Sequence, residues 1–250
     1  MTINTDINIL GSLPDWNLVK IFLAAETAPE IEGSVVYTQT AIKTIRSVDR
    51  FESAITGNLI KFTNPETKSI LKDAIEAEDI SQNVLYLLFW NASYNNLLLN
   101  TLNERVFFPA FFSGRITIKS SEVVACMKDM KTSHPELKTW TEYTLTKVAS
   151  KYLTLLKKFG LMEGGLNKTI VHPFLGDKMF IVFLYWLKAI ETQTNLISSP
   201  WLQYGMMEQT TFLERLMNKK HVKYINIIYT GDRLEIETKL PYQEIYHANL

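Results

Sequence analysis

The side chains best suited to chemistry in this sequence are cationic or hydrogen-bonding, and several recur at helical spacing. Lys147, Lys151, Thr154 and Lys158 follow one another at intervals of four, three and four, which aligns them along one side of an α-helix. A stripe of ammonium and hydroxyl groups on a helix suits a polyanion. In a DNA groove, residues near the helix N-terminus meet base edges and flanking ones meet phosphates. Lys138, Thr139, Thr141 and Ser150 are placed to extend such a surface, with Arg115 upstream and Asn167 and Lys168 downstream. The same spacing is also that of the solvated face of an amphipathic helix, so the surrounding elements decide between the two readings.

Those elements form a recognisable order. Arg115 to Ile118 alternates as a short strand, and Ser120 with Glu122 opens a helix that must end near Lys131, before His134-Pro135. Thr139 followed by Glu142 reads as a capping box. It opens a second helix running to Phe159, with Gly160 as its stop. Trp140, Thr144, Val148, Tyr152, Leu155 and Phe159 fall on the face expected to be buried, so truncation of Trp140 is expected to cost stability. Leu161 to Glu163 and Thr169 to Val171 then flank Gly164-Gly165-Leu166-Asn167-Lys168 as a hairpin. Strand, helix, turn, long helix and hairpin is the order of a winged helix-turn-helix.

Composition restrains this reading. Lys plus Arg equals Asp plus Glu at 26 each, so a polyanionic partner would have to be met by a local patch rather than by net charge. The stretch from Arg115 to Lys168 is locally basic. Cys126 is the one cysteine, which excludes an internal disulfide and a cysteine zinc site and points to a cytoplasmic protein. Met1 to Leu10 lacks the pattern of a signal peptide.

Enzymatic motifs are scarce. There is no phosphate-binding glycine loop, no His-Glu-x-x-His and no nucleophile elbow, and His134, His172, His221 and His247 are scattered. No cofactor or metal is expected. Asp232 with Glu237 and Lys239 is the one pattern a metal-dependent nuclease could use, but Asp232 falls in a turn and the others alternate on an exposed strand.

The rest of the chain is helical in pattern. Helices are expected from Leu13-Pro14-Asp15-Trp16 to Ala25, from Ser34 or Val35 to Ile55 (with Val36, Thr40, Ile42, Ile45 and Val48), and from Pro65 with Ile70, Leu71, Ala74 and Ile75 inward. An apolar stretch from Ile80 to Phe112 is interrupted near Pro109. Met179 to Leu187 is apolar throughout but far shorter than the roughly 20 residues of a membrane span, and reads as a core helix capped by Asp177. Ser199-Pro200 starts a further helix, and Tyr224 to Tyr229 pairs with Leu234 to Glu237 as a hairpin. The expected class is mainly α with small β-hairpins. Residues 1–79 form a helical bundle, 80–173 a central helix with the winged helix-turn-helix, and 174–250 helices with a hairpin that echo a second winged unit.

The middle of the chain resembles the BrxA family of bacteriophage-exclusion (BREX) defence systems. The likeness lies in Leu87-Leu88-Phe89-Trp90, Leu102-Asn103-Glu104-Arg105-Val106-Phe107, His134-Pro135-Glu136-Leu137 and Leu155-Leu156-Lys157-Lys158-Phe159-Gly160-Leu161-Met162, with Asp15-Trp16 near the N-terminus. It implies a mostly helical, non-enzymatic component of a phage-restriction apparatus that binds double-stranded DNA beside other defence proteins. Relatives carry more arginine along the long helix, where this chain has Thr146-Lys147 and Lys151. Lysine offers a point charge in place of a guanidinium fork. A winged-helix adaptor that binds protein partners is the rival reading.

Overall fold

The computed structural model describes residues 3–27, 42 and 44–250, and within them the chain is mainly helical, with two small antiparallel hairpins. In chain order the α-helices are α1 (Asp6–Leu10), α2 (Asn17–Thr27), α3 (Ile45–Ala54), α4 (Pro65–Glu78), α5 (Gln82–Asn95), α6 (Leu97–Leu102), α7 (Phe108–Phe112), α8 (Ser120–Met130), α9 (Glu142–Lys158), α10 (Asp177–Ile190), α11 (Gln209–Leu216) and α12 (Tyr242–Ile245). Strands β1 (Met162–Gly164) and β2 (Lys168–Ile170) form one hairpin, and β3 (Ile225–Tyr229) and β4 (Leu234–Thr238) the other. Residues 34–41 of the helix expected from Ser34 or Val35 lie outside the described residues; its later part is α3, capped by Thr44.

Two compact units are present, residues 1–61 with 85–171 and residues 62–84 with 172–250. This division follows packing and not sequence order. Helix α4 buries Ile70, Leu71, Ala74 and Ile75 in the second unit, alongside α10 and α12, whereas sequence blocks would part it from them near residue 79.

In the first unit, two π-helical turns shape the core. One follows α3 at Ile55–Leu59 and the other links α6 to α7 at Asn103–Phe107, where Pro109 enters the first turn of α7. A wide turn leaves backbone carbonyls without helical donors. Asn91 Nδ2 donates to the Leu59 carbonyl at 2.6 Å, and Asn95 Nδ2 to the Lys61 carbonyl at 2.8 Å. Asn58, itself buried, donates to Asp6 at 3.1 Å and accepts from Asn96 at 2.8 Å. This asparagine ladder ties α1 to the rest of the unit.

In the second unit, Met179 to Leu187 is buried along its whole length in α10. Asp177 is the first helical residue and Gly176 the N-cap, so the expected Asp177 side-chain cap is absent. The Tyr185 hydroxyl donates to the Tyr224 carbonyl at 2.9 Å, tying α10 to the segment that opens β3. The Ser199 cap forms as expected but heads a 3-10 turn, Pro200–Gly205, and α11 starts separately after Met206 in the left-handed region. Among the described residues, no helix is long and apolar enough to cross a membrane.

Candidate nucleic-acid interface

The segment of interest starts where Ile116 to Ile118 runs beside β2. It is held by one bridge, Thr117 to Thr169, and by the Ile170 amide donating to the Ile116 carbonyl at 2.8 Å. Helix α8 follows. Its first turn is closed by Glu122, which accepts from the Lys119 amide at 2.8 Å and from Arg115 at 2.7 Å. A 3-10 turn, Pro135–Thr139, with Leu137 buried, leads to α9. Helix α9 ends where Gly160 takes φ +77°, and β1 and β2 pair with Glu163 opposite Thr169.

Helix α9 begins two residues later than the capping box implies. Thr141 is its N-cap, accepting from the Thr144 amide at 3.3 Å, while the Thr139 hydroxyl donates to the Glu136 carbonyl within the preceding turn. Trp140 therefore stands before the helix and is only partly buried, and its carbonyl accepts from Lys131 Nζ at 2.9 Å. The expectation that Trp140 anchors the buried face is corrected. That face is Leu145, Val148, Ala149, Tyr152, Leu153, Leu155 and Leu156, continued by Phe159. Tyr152 donates to Asn103 at 3.0 Å, and Asn103 to Ser93 at 3.0 Å, a buried polar chain reaching α5.

The stripe itself is divided. Lys147 and Ser150 are exposed, and Lys151 and Thr154 are partly so. Lys158 instead ties α9 to the N-terminal segment, its ammonium donating to the Leu13 carbonyl at 2.7 Å. Burial, and then the neighbouring Lys151, push its pKa down, against the pull of Asp15. Arg115 is taken up by Glu122 and by the Thr117 carbonyl at 3.2 Å, so the structure does not leave it free for phosphate. Lys138, Thr139, Thr141 and Asn167 are exposed, and Lys168 is half-buried at the base of the hairpin loop. Leu166 at the loop tip is 99% exposed.

One partner of the stripe escaped the sequence reading. Helix α1 lies against α9, so closely that the Lys151 carbonyl would sit 2.5 Å from a Cβ placed on Gly11. Beside this contact, Lys147 joins Asn8, Ile9, Ser12, Ser47, Arg50 and Phe51 around a cleft of about 260 Å³. Arg50 lies one helical turn after Arg46 on α3, and that i, i+4 pair was the available signal. What the sequence could not supply was that α1 and α3 pack at this face of α9.

The hairpin carboxylates make no comparable cluster. Asp232 is bonded to Thr230 in the turn, Glu237 accepts from Asn226 at 3.4 Å, and Lys239 donates to the Val222 carbonyl. Among the described residues there is no group of three His, Cys, Asp or Glu side chains placed to hold a metal ion. Cys126 is half-buried, and burial pushes its thiol pKa up.

Two packed helices joined by a turn are thus followed by an antiparallel hairpin, with exposed cations on the long helix. Residues 66–183 match the family model described as BrxA. No curated protein matches the chain. No solved structure matches it.

Proposed function

We propose that this protein is a non-catalytic double-stranded DNA-binding component of a bacterial BREX phage-defence system, acting in the cytoplasm beside other defence proteins. Helices α8 and α9 with the β1–β2 hairpin are read as a winged helix-turn-helix. The N-terminal part of α9 meets the duplex and the loop around Asn167 flanks it. The observation that carries the proposal is the Lys147–Arg50 cleft. Two cations without ionic partners among the described residues share it with the side-chain amide of Asn8, donors suited to phosphate oxygens, while the Ser12 hydroxyl is bonded to the Asn8 carbonyl and the Ser47 hydroxyl to that of Thr44. The footprint is accordingly Lys138, Thr139, Thr141, Lys147, Ser150, Lys151, Asn167 and Lys168, with Arg50 added and Arg115 and Lys158 set aside. The likeness of residues 66–183 to the BrxA model supports the defence setting.

A salt-titrated DNA-binding measurement tests this. Each neutralised phosphate contributes about 0.9 to the slope of log affinity against log salt. Arg50→Gln with Lys147→Gln should flatten that slope by about 1.8, whereas Lys158→Gln should leave it unchanged. Lys72→Gln with Lys188→Gln, in the second unit, is the matched charge control. Equal losses from the two pairs would reduce the effect to general electrostatics and remove the cleft from the footprint.

The adaptor reading has its own support in Ile116, Tyr143 and Leu166, which are 71%, 75% and 99% exposed. If neither pair of substitutions affects DNA, loss of a defence-protein partner on replacing these three residues would favour the adaptor.

A further inference from the structure

The second unit holds a separate cationic pocket. Lys219, Lys220, Lys223 and Lys239 surround a space of about 640 Å³ together with His221, Val222 and Tyr224, within the roughly 300–1,000 Å³ typical of small-molecule sites. Among the described residues, Asp177 is the one acidic side chain on its wall. That carboxylate is shared between Arg215 at 3.5 Å and Lys220 at 3.9 Å, so it offsets Lys220 in part and leaves Lys219, Lys223 and Lys239 without an ionic partner among the described residues.

Two of the lysines are held in place by the backbone. Lys239 donates to the Val222 carbonyl, and Lys223 to the Asn249 carbonyl at 3.2 Å. An ammonium has three donors, so each of these bonds fixes the charge while leaving N–H groups for a ligand. Lys219 and Lys220 are exposed on a 3-10 turn. Compact ammonium groups, with no guanidinium fork among them, suit an anion of high charge density. Val222, 53% exposed, and Leu250, 37% exposed, add an apolar surface to the same wall.

A second observation marks this wall. His221 is 1% exposed, and neither ring nitrogen has a hydrogen-bond partner among the described residues. The Arg215 carbonyl, which favours the protonated ring, lies outside hydrogen-bonding geometry. A buried polar group left unsatisfied is costly. Burial pushes the His221 pKa down, against Asp177, and an anion seated beside it would raise it again.

We propose that this pocket binds a nucleotide, its phosphates among Lys219, Lys220, Lys223 and Lys239 and its base against Val222 and Leu250. The site is independent of the DNA-binding reading, because none of its residues belongs to that footprint.

Calorimetric titration of the full chain with ADP, inorganic phosphate and adenosine tests the proposal. ADP should bind saturably, phosphate more weakly and adenosine not measurably. Lys219→Gln with Lys220→Gln, both exposed and with side chains free of backbone bonds, should weaken ADP by about tenfold or more through loss of two charge-assisted contacts. Arg50→Gln with Lys147→Gln should leave ADP binding unchanged. In NMR titrations the His221 pKa should rise when ADP is bound. No saturable ADP binding at millimolar concentration, equal affinity for phosphate and ADP, or equal affinity in the Lys219/Lys220 variant would each overturn the proposal. So would a duplex that competes with ADP and loses affinity in that variant, which would make the pocket a nucleic-acid surface.

Discussion

Gly11→Ala is a sharp test of the packing that frames the candidate interface. Gly11 has φ −67° and ψ −10°, an ordinary right-handed conformation, so alanine meets no backbone strain there. Judged on chain entropy alone, the change should stabilise the protein by about 0.4–1 kcal/mol. The structure predicts the opposite sign. A Cβ at this position would lie 2.5 Å from the Lys151 carbonyl oxygen, 3.1 Å from its carbonyl carbon and 3.0 Å from the Ile7 oxygen. The obstructing atoms are backbone in two helices and cannot rotate away, so α1 must lift from α9. Overpacking of this kind costs about 1–3 kcal/mol. At about 2–4 °C per kcal/mol for a chain of this size, Tm should fall by roughly 2–12 °C. Gly57→Ala is the control, because a Cβ there would meet nothing within 4 Å. Thermal melts of both variants, followed by circular dichroism, check the argument. An unchanged or raised Tm for Gly11→Ala would mean that α1 does not lie against α9, and the Lys147–Arg50 cleft would fall with it.

Further expectations follow from the same unit. Tyr152→Phe removes the hydroxyl that Asn103 accepts and should lower unfolding free energy by about 0.5–1.5 kcal/mol, read from urea denaturation with an unchanged m-value. Glu122 titrates below its usual 4.5: burial raises its pKa, but the Lys119 amide and Arg115 together lower it further. Its contribution is therefore fully present above pH 4.5 and lost as pH falls through the lower folded value. Glu122→Gln should remove that part of the acid dependence in a pH series of melts.

Much of this was legible in the sequence because it was local. Gly160, His134-Pro135, Pro65 and the glycine-containing hairpin loops act within a few residues of themselves, and they mark where elements stop and turn. The 3.6-residue periodicity gave Val148, Tyr152, Leu155 and Phe159 as a buried face. The capping box misled because Thr139 and Thr141 offer the same chemistry two residues apart, and the competing 3-10 turn took the first. The candidate interface was less legible. Lys158 and Arg115 look free in a sequence, and only packing brings the Leu13 carbonyl to one and Glu122 to the other. Arg50 lies nearly a hundred positions before Lys147, beyond the reach of any local pattern.

The position of Trp140 has an optical consequence. Its ring is only partly buried, while Lys138, Thr139 and Thr141 around it are exposed. Trp90 and Trp186 are 0% and 2% exposed. Indole emission depends on local polarity, so the chain carries a built-in fluorophore at the mouth of the proposed duplex site. A Trp140→Phe difference spectrum would isolate its signal and report occupancy without any label on protein or DNA.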